Sequence, residues 1–298
     1  MSLYDGVDLR LNVPHSARMY DYFLGGITNF AADREAAGQA LAALPWVRAT
    51  ARANRAFMHR STRALAEAGL DQFLDIGTGI PTSPNLHEIA QRVNPRARVV
   101  YVDNDPIVLS HAQALLTGAR EGRTAYVEAE LTEPAALLAA PGLRDTIDLA
   151  RPVALSLNAV LHFVPDDPDA PGDPDAPDAP VAPDGTVAPD GPDGAAVQRA
   201  HAIVEHLKAA LAPGSALVLS HVTADFAPEE IARLAGIYRA AGAPGQARAH
   251  HEIARFFDGW TLLAPGLVPT PRWRPAGPED TAVSDTEASL YAAVAIKP

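Results

Sequence analysis

The sequence predicts an α/β fold, Rossmann-like, with a mostly parallel sheet, an antiparallel closing pair and an N-terminal helical cap. Three observations carry this prediction: short apolar runs alternate with segments of helical period, a Gly-x-Gly turn follows the first run, and an acid follows the second. Runs of strand length that are almost continuously apolar suit strands buried on both faces, the condition of a parallel sheet.

Residues 1–69 differ in character from the rest and form the expected cap. Arg18 to Leu24 reads as a short helix stopped by Gly25-Gly26, Ala31 to Leu44 as a second, and Val47 to Ala68 as a third stopped by Gly69. On the third, Arg48, Arg52, Arg55, His59 and Arg63 recur at helical spacing and share one face. A solvated surface and a basic wall beside an anionic group both fit that face.

Residues 70–298 form the expected Rossmann-like domain. Its strands read as Gln72 to Ile76, Arg98 to Val102, Thr124 to Glu128, Pro152 to Leu157 and Ala216 to His221. Before the last of them, Val197, Ala200, Ile203, Val204, Leu207 and Leu211 lie on one helical stripe that Ala212-Pro213-Gly214 stops. After Thr261 the alternation fails, and Leu262 to Val268 with Leu290 to Ile296 fit the closing antiparallel pair.

Residues 165–194 interrupt this domain with Pro, Asp, Ala and Gly and almost nothing able to anchor a core, which predicts a disordered loop. They hold nine Asp and no Lys or Arg, so only −3 of the formal charge of −12 falls on the rest of the chain. An acidic balance disfavours nucleic acid and anionic membranes as partners, although the part expected to fold is nearly neutral.

Hydrophobic residues at 48 % and charged residues at 20 % suit a globular protein. No apolar run reaches the ~18 residues of a membrane span, and Met1 to Asp5 has no signal-peptide character. A cytoplasmic location and no membrane partner are expected. The absence of cysteine removes disulfides, thiolate nucleophiles and cysteine-ligated zinc, and His15, His162 and His221 lack metal-ligand spacing. No metal is expected.

Glycines after a first strand let the backbone approach a ligand closely, and the helix that follows presents N–H groups to its polar atoms. Gly77-Thr78-Gly79 fits that role, with Asp75 just before it. The third glycine of a dinucleotide fingerprint is missing, and Pro81 is better suited to opening a helix than to cradling a pyrophosphate, which counts against a nicotinamide cofactor. Asp103, at the end of the second strand, is placed to accept both hydroxyl protons of an adenosine ribose. As part of Asp103-Asn104-Asp105-Pro106 it also fits a plain turn.

These residues resemble the class I S-adenosylmethionine-dependent methyltransferases, which carry an Asp-x-Gly-x-Gly turn after strand one and acids after strands two and three. The matches are Asp75 to Gly79, Asp103, Glu130, and Asn158 to His162 in the variable segment after strand four. More narrowly, Pro14 to Gly26, Phe73 to Thr82, Tyr101 to Pro106, Leu161 to Pro165, Leu219 to His221 and Pro271 to Pro275 are similar to a bacterial methyltransferase family first catalogued as a domain of unknown function. The resemblance implies a seven-stranded class I fold and S-adenosylmethionine as cofactor. It also implies that Gly77, Thr78 and Gly79 approach the methionyl part, Asp75 sits near its ammonium, and Asp103 with Asn104 holds the ribose. Glu130 and Leu131 would flank the adenine, although many relatives have Asp where Glu130 stands. Asn158 and Ala159 would lie beside the sulfonium.

For a hydroxyl acceptor, His162 past strand four is the first candidate general base and His221 past strand five the second. His15, Tyr20, Tyr22, Asn29 and Arg34 form a polar cluster that could line the acceptor pocket. The expected activity is methyl transfer to a small-molecule acceptor. A non-catalytic cofactor-binding protein and a nicotinamide oxidoreductase remain alternatives on the same fold. A nucleic-acid methyltransferase is disfavoured, because no Asn/Asp-Pro-Pro-aromatic tetrapeptide follows strand four.

Overall fold

The computed structural model describes residues 9–108, 110, 119–166, 199–243 and 245–298. Three helices come first: α1 (Ser16–Leu24), α2 (Ala31–Ala43) and α3 (Val47–Glu67). Each stops where the sequence offers a reason. His15 caps α1 by accepting the Ala17 N–H at Nδ1, and Gly25 closes it at φ +85° while donating to the Asp21 and Tyr22 carbonyls. Helix α3, without an internal Gly or Pro, runs 21 residues before Gly69 at φ +100°.

The strands are β1 (Gln72–Ile76), β2 (Arg98–Asp103), β3 (Arg123–Glu128), β4 (Ala154–Asn158), β5 (Ala216–Val222), β6 (Thr261–Leu262), β7 (Val268–Pro269) and β8 (Leu290–Ile296). The sheet runs in the order β3-β2-β1-β4-β5-β8-β6, with β7 also on β8. Strands β1 to β5 pair in parallel and β8 runs antiparallel to them. The order reverses between β1 and β4, which opens a crevice at their carboxyl ends.

Leu262 to Val268 is not one strand. Both β6 and β7 pair antiparallel with β8, Leu263 N–H still donates to the Val294 carbonyl of β8, and the ladder is interrupted from Ala264 to Leu267. Pro265 has no N–H to give to the ladder, and Gly266 turns at φ +94°. Against the expected seven strands, the sheet has eight among the described residues. Helix α4 (Leu86–Val93) also begins later than Pro81 suggested. Pro81 and Pro84 both bias the residue before them away from helical backbone, so the helix starts only after the second.

Alternate residues feed the two faces of the sheet. Leu74, Val100, Leu155 and Leu217 pack with the Arg199–Ala209 helix through Ile203, Val204 and Leu207. Phe73, Val99, Ala154 and Val218 pack with Phe57 and Leu65 of α3, with Ile89 of α4 and with the fully buried Trp273. A third cluster joins α1, α2 and the start of α3 to the Pro228–Ala240 helix. Helix α3 therefore lies directly on the sheet. Of its basic residues Arg52 and Arg63 are exposed, whereas Arg48 donates to the Tyr22 carbonyl and Arg55 to those of Thr82 and Pro84.

Among the described residues no helix is long and apolar enough to cross a membrane. Residues 167–194 of the Pro/Asp stretch lie outside the described residues, while Asp166 at its start pairs with Arg248 at 3.0 Å.

Candidate functional site

The carboxyl ends of the parallel strands open into a cavity of about 650 Å³, covered by α1, α3 and the Pro228–Ala240 helix. That volume falls in the ~300–1,000 Å³ range of small-molecule sites. It lies at the reversal of strand order.

On the β1 to β3 side the lining is backbone turns and carboxylates. Gly77 sits at φ +72°, and a Cβ there would fall 2.3 Å from Val160 Cγ2, so conformation and space both demand glycine. Gly79 sits at φ +66°, but a Cβ there would meet only Ala17, at 4.0 Å, so the space over it belongs to the cavity. The Gly77 and Thr78 amides donate to the Val102 carbonyl at 2.8 and 3.2 Å, and Gly79 N–H donates to Asp103 Oδ2 at 2.8 Å. These amides brace the turn against β2.

Asp103 Oδ1 accepts the Asp105 N–H at 3.1 Å, so each carboxylate oxygen holds one backbone donor and keeps room for another. Burial raises the Asp103 carboxyl above its usual range, and the Gly79 and Asp105 amides oppose that rise. Burial pushes Asp75 up to about 6, against hydrogen bonds from the Thr78 and Ser156 hydroxyls and the charge of Arg55. His15 Nδ1 stands 3.1 Å from Asp105 Oδ2. Glu130 is exposed and accepts from Asn104 Nδ2 at 3.1 and 3.2 Å, with Leu131 buried beside it.

At the end of β4, Ala159 takes φ +51°, a region that a residue with a Cβ rarely occupies. Ser220 holds it there, accepting the Ala159 N–H at both its carbonyl (3.1 Å) and its Oγ (3.0 Å). Ser220 Oγ donates to Asn54 Oδ1 at 2.6 Å, Asn54 Nδ2 to Tyr20 Oη at 3.0 Å, and Tyr20 Oη to the Ala51 carbonyl at 3.0 Å. This chain ties the β4 turn to α3 and α1. Asn158 Nδ2 donates to Ser156 Oγ at 2.6 Å, but Asn158 Oδ1 is buried without a hydrogen-bond partner, as is His162 Nδ1. A buried polar atom left unpaired costs about 1–3 kcal/mol. Both residues line the cavity, so a bound molecule can supply what they lack. Burial and the nearby Arg248 guanidinium hold the His162 imidazole down at about 3.

The cavity brings together Asp75, Gly77, Thr78, Gly79, Asp103, Asn104, Glu130, Leu131, Asn158, Ala159, His15, Tyr20 and His162. Tyr22, Asn29, Arg34 and His221 do not line it. The Tyr22 ring lies under the Arg48 guanidinium, 4.8 Å from its centroid. Asn29 donates to Asp21 Oδ2 and the Gly26 carbonyl, and Arg34 donates to Asn29 in turn, so both brace the α1–α2 turn. His221 is fully buried on β5, donating from Nδ1 to the Val222 carbonyl at 2.7 Å and accepting Arg248 Nη1 at Nε2, 2.8 Å away. With both ring nitrogens engaged it has no proton-transfer position to offer.

Asn54 and Tyr238 line the cavity without having been singled out, and Arg55, read from the sequence only as part of a basic helical face, lines it too. Arg248, 1 % exposed, binds the carbonyls of Leu161 and Val164 and the Asp166 carboxylate, fixing the segment that carries His162. The spacing of Asn54 and Arg55 on α3 was visible in the sequence; nothing local marks Tyr238 or Arg248.

The strand order and the acids at the ends of β1 and β2 define a Rossmann-like nucleoside-binding protein. The family model for S-adenosyl methyltransferases matches residues 5–173 and 195–298, and the chain belongs to that family, whose methyl donor is S-adenosylmethionine. Among solved structures, it is similar to a DUF574 family protein from Streptomyces avermitilis MA-4680, at 44 % identity over 98 % of this chain and 100 % of that one, with a TM-score of 0.84. It is also similar to a candidate methyltransferase from Thermobifida fusca YX, at 36 % identity over 99 % of both chains, with a TM-score of 0.80. No curated protein matches the chain.

Proposed function

We propose that this protein transfers a methyl group from S-adenosylmethionine to a small-molecule acceptor held over the ends of β4 and β5. The observation that carries this reading is one continuous cavity. It reaches from Gly79 and Asp103, past the unpartnered Asn158 Oδ1 and His162 Nδ1, to a separate region under the Pro228–Ala240 helix.

In the proposed arrangement Asp103, held by the Gly79 and Asp105 amides, accepts the ribose hydroxyls, with Asn104 beside it. Gly77, Thr78 and Gly79 leave room for the methionyl chain, and Asp75 faces its ammonium. Glu130 and Leu131 flank the adenine, while Asn158 and Ala159 shape the wall beside the sulfonium. The cofactor supplies an already activated methyl group. The acceptor heteroatom would take that methyl in exchange for its own proton, which would pass to solvent, with S-adenosylhomocysteine as the other product. The protein's own work is to orient the two partners and exclude water. Burial and the Arg248 guanidinium keep the His162 imidazole neutral, the form that can accept a hydrogen bond from the acceptor and orient it.

A screen of diverse acceptors with S-adenosylmethionine, read by S-adenosylhomocysteine released, tests this function. Release with at least one acceptor is expected. Tight cofactor binding with no release from any acceptor would favour the non-catalytic binding protein, and tighter binding of a nicotinamide cofactor would overturn the reading.

A further inference from the structure

We infer that the acceptor is an uncharged, largely apolar ring compound bearing one hydroxyl or amine, seated against the wall formed by Phe163, Leu234 and Tyr238. The inference deepens the proposed methyl transfer and rests on it.

The cavity changes character where the strand order reverses. Over β4, β5 and the start of β8 its wall is Phe163, Val222, Ile231, Leu234, Tyr238 and Leu290. The Phe163 and Tyr238 rings stand 5.5 Å apart, tilted by 48°. At that distance the two rings touch each other and together present one aromatic wall, against which a flat ring can pack. The polar side chains of this region are neutral, and most are committed: Tyr20 and Asn54 hydrogen-bond to each other, to the Ala51 carbonyl and to Ser220. Tyr238 lines this region, and His162 Nδ1 and Asn158 Oδ1 are buried without a partner on residues that line it, a polar set sized to one hydroxyl or amine.

An anionic acceptor would have to shed its water against this wall, at a cost only a paired cation can offset. Among the described residues three arginines line the cavity, Arg10, Arg18 and Arg55, and none belongs to the aromatic wall: Arg10 and Arg18 come from the start of the chain and α1, where Arg18 pairs with Asp33 and donates to the Leu9, Arg10 and Val13 carbonyls. Arg248 turns to the Leu161 and Val164 carbonyls, Asp166 and His221, and Arg55 turns to the Thr82 and Pro84 carbonyls on the β1 side. The geometry therefore selects against carboxylates and phosphates.

The test uses the full chain loaded with S-adenosylhomocysteine, titrated calorimetrically at neutral pH with 2-naphthol, 2-naphthoate and 2-naphthyl phosphate, which share a ring and differ in charge. Naphthol should bind at least about tenfold more tightly than either anion, because the anions pay the desolvation penalty without a partner. Leu234→Glu and, separately, Ala235→Trp should each weaken naphthol by about tenfold or more, by adding a charge or filling the space, while S-adenosylhomocysteine affinity stays unchanged. That affinity also reports that the variants are folded. Equal or tighter binding of an anion, no naphthol binding, or naphthol affinity untouched by both variants would overturn the inference alone. Failure of the parent chain to bind S-adenosylhomocysteine would overturn the methyltransferase reading beneath it.

Discussion

On the β1 to β3 side of the cavity, the polar groups at its floor come from a strand end or the turn after it: Asp75, Gly77 to Gly79, Asp103, Asn104 and Glu130. On the β4, β5 and β8 side, the wall is assembled from α1, α3, the segment after β4, the Pro228–Ala240 helix and Leu290, which meet only when the chain folds. The first side buries carboxylates at the expense of apo stability and leaves room for a ligand to relieve them. The second buries apolar groups, as a core does, and so contributes to stability while it shapes the pocket. One cavity thus pairs a donor region preset by local backbone with an acceptor region set by tertiary packing.

The sharpest way to break this contrast is at Arg248, which braces the acceptor side without touching the ligand. Arg248→Met strands the Leu161 and Val164 carbonyls and Asp166, and is expected to cost about 3–5 kcal/mol in a denaturant unfolding experiment. A variant as stable as the parent would show that the acceptor wall stands without this anchor. On the donor side, Asp103→Ala should lose about 1.5–3 kcal/mol of S-adenosylhomocysteine affinity by calorimetry, the value of hydrogen bonds to a charged acceptor. Naphthol binding to the saturated protein should be unaffected. Loss of both together would mean that the two regions are not independent.

Asp75 gives a smaller, pH-dependent effect. Its folded carboxyl titrates at about 6, above its ordinary 3.8, so ionising it destabilises the apo protein above pH 6, and that penalty fades as the pH falls toward 3.8. Cofactor affinity should run the opposite way, because the ammonium prefers the ionised carboxylate. Below pH 6 affinity should fall by up to about tenfold per unit, or ~1.4 kcal/mol. Asp75→Asn should flatten that profile; an unchanged slope would remove Asp75 from the ammonium site. The least effect is expected from deleting residues 174–194, the stretch that the family model passes over. Cofactor affinity should stay within error, and a clear loss would extend the site beyond the two regions compared here.

How far each region could be read in advance follows from how it is built. Periodicity located β1 to β5 to within two residues, because strands buried on both faces must be apolar throughout, a condition that β1, β2, β4 and β5 meet more fully than the partly exposed β3. It missed the break between β6 and β7, where Pro265 and Gly266 sit inside an apolar run that looks continuous. The donor-side residues were legible because glycine at a positive φ and acids at strand ends leave short, local marks. The N-terminal cluster was only partly legible. His15 and Tyr20 face the cavity, whereas Tyr22, Asn29 and Arg34 turn to partners on α1, α3 and the turn between α1 and α2, a choice that sequence spacing does not encode.

The sequence by itself determined the parallel sheet, the Gly77-Thr78-Gly79 turn and the acid at Asp103, since each depends on backbone conformation or burial pattern within a few residues. Tertiary structure alone decided that Tyr20 reaches Ser220 through Asn54, that Arg248 engages His221 Nε2 and locks the His162 segment, and that Tyr238 comes to face Phe163. Those contacts join residues from about 30 to more than 160 positions apart, and it is packing between layers, not any local preference, that selects them.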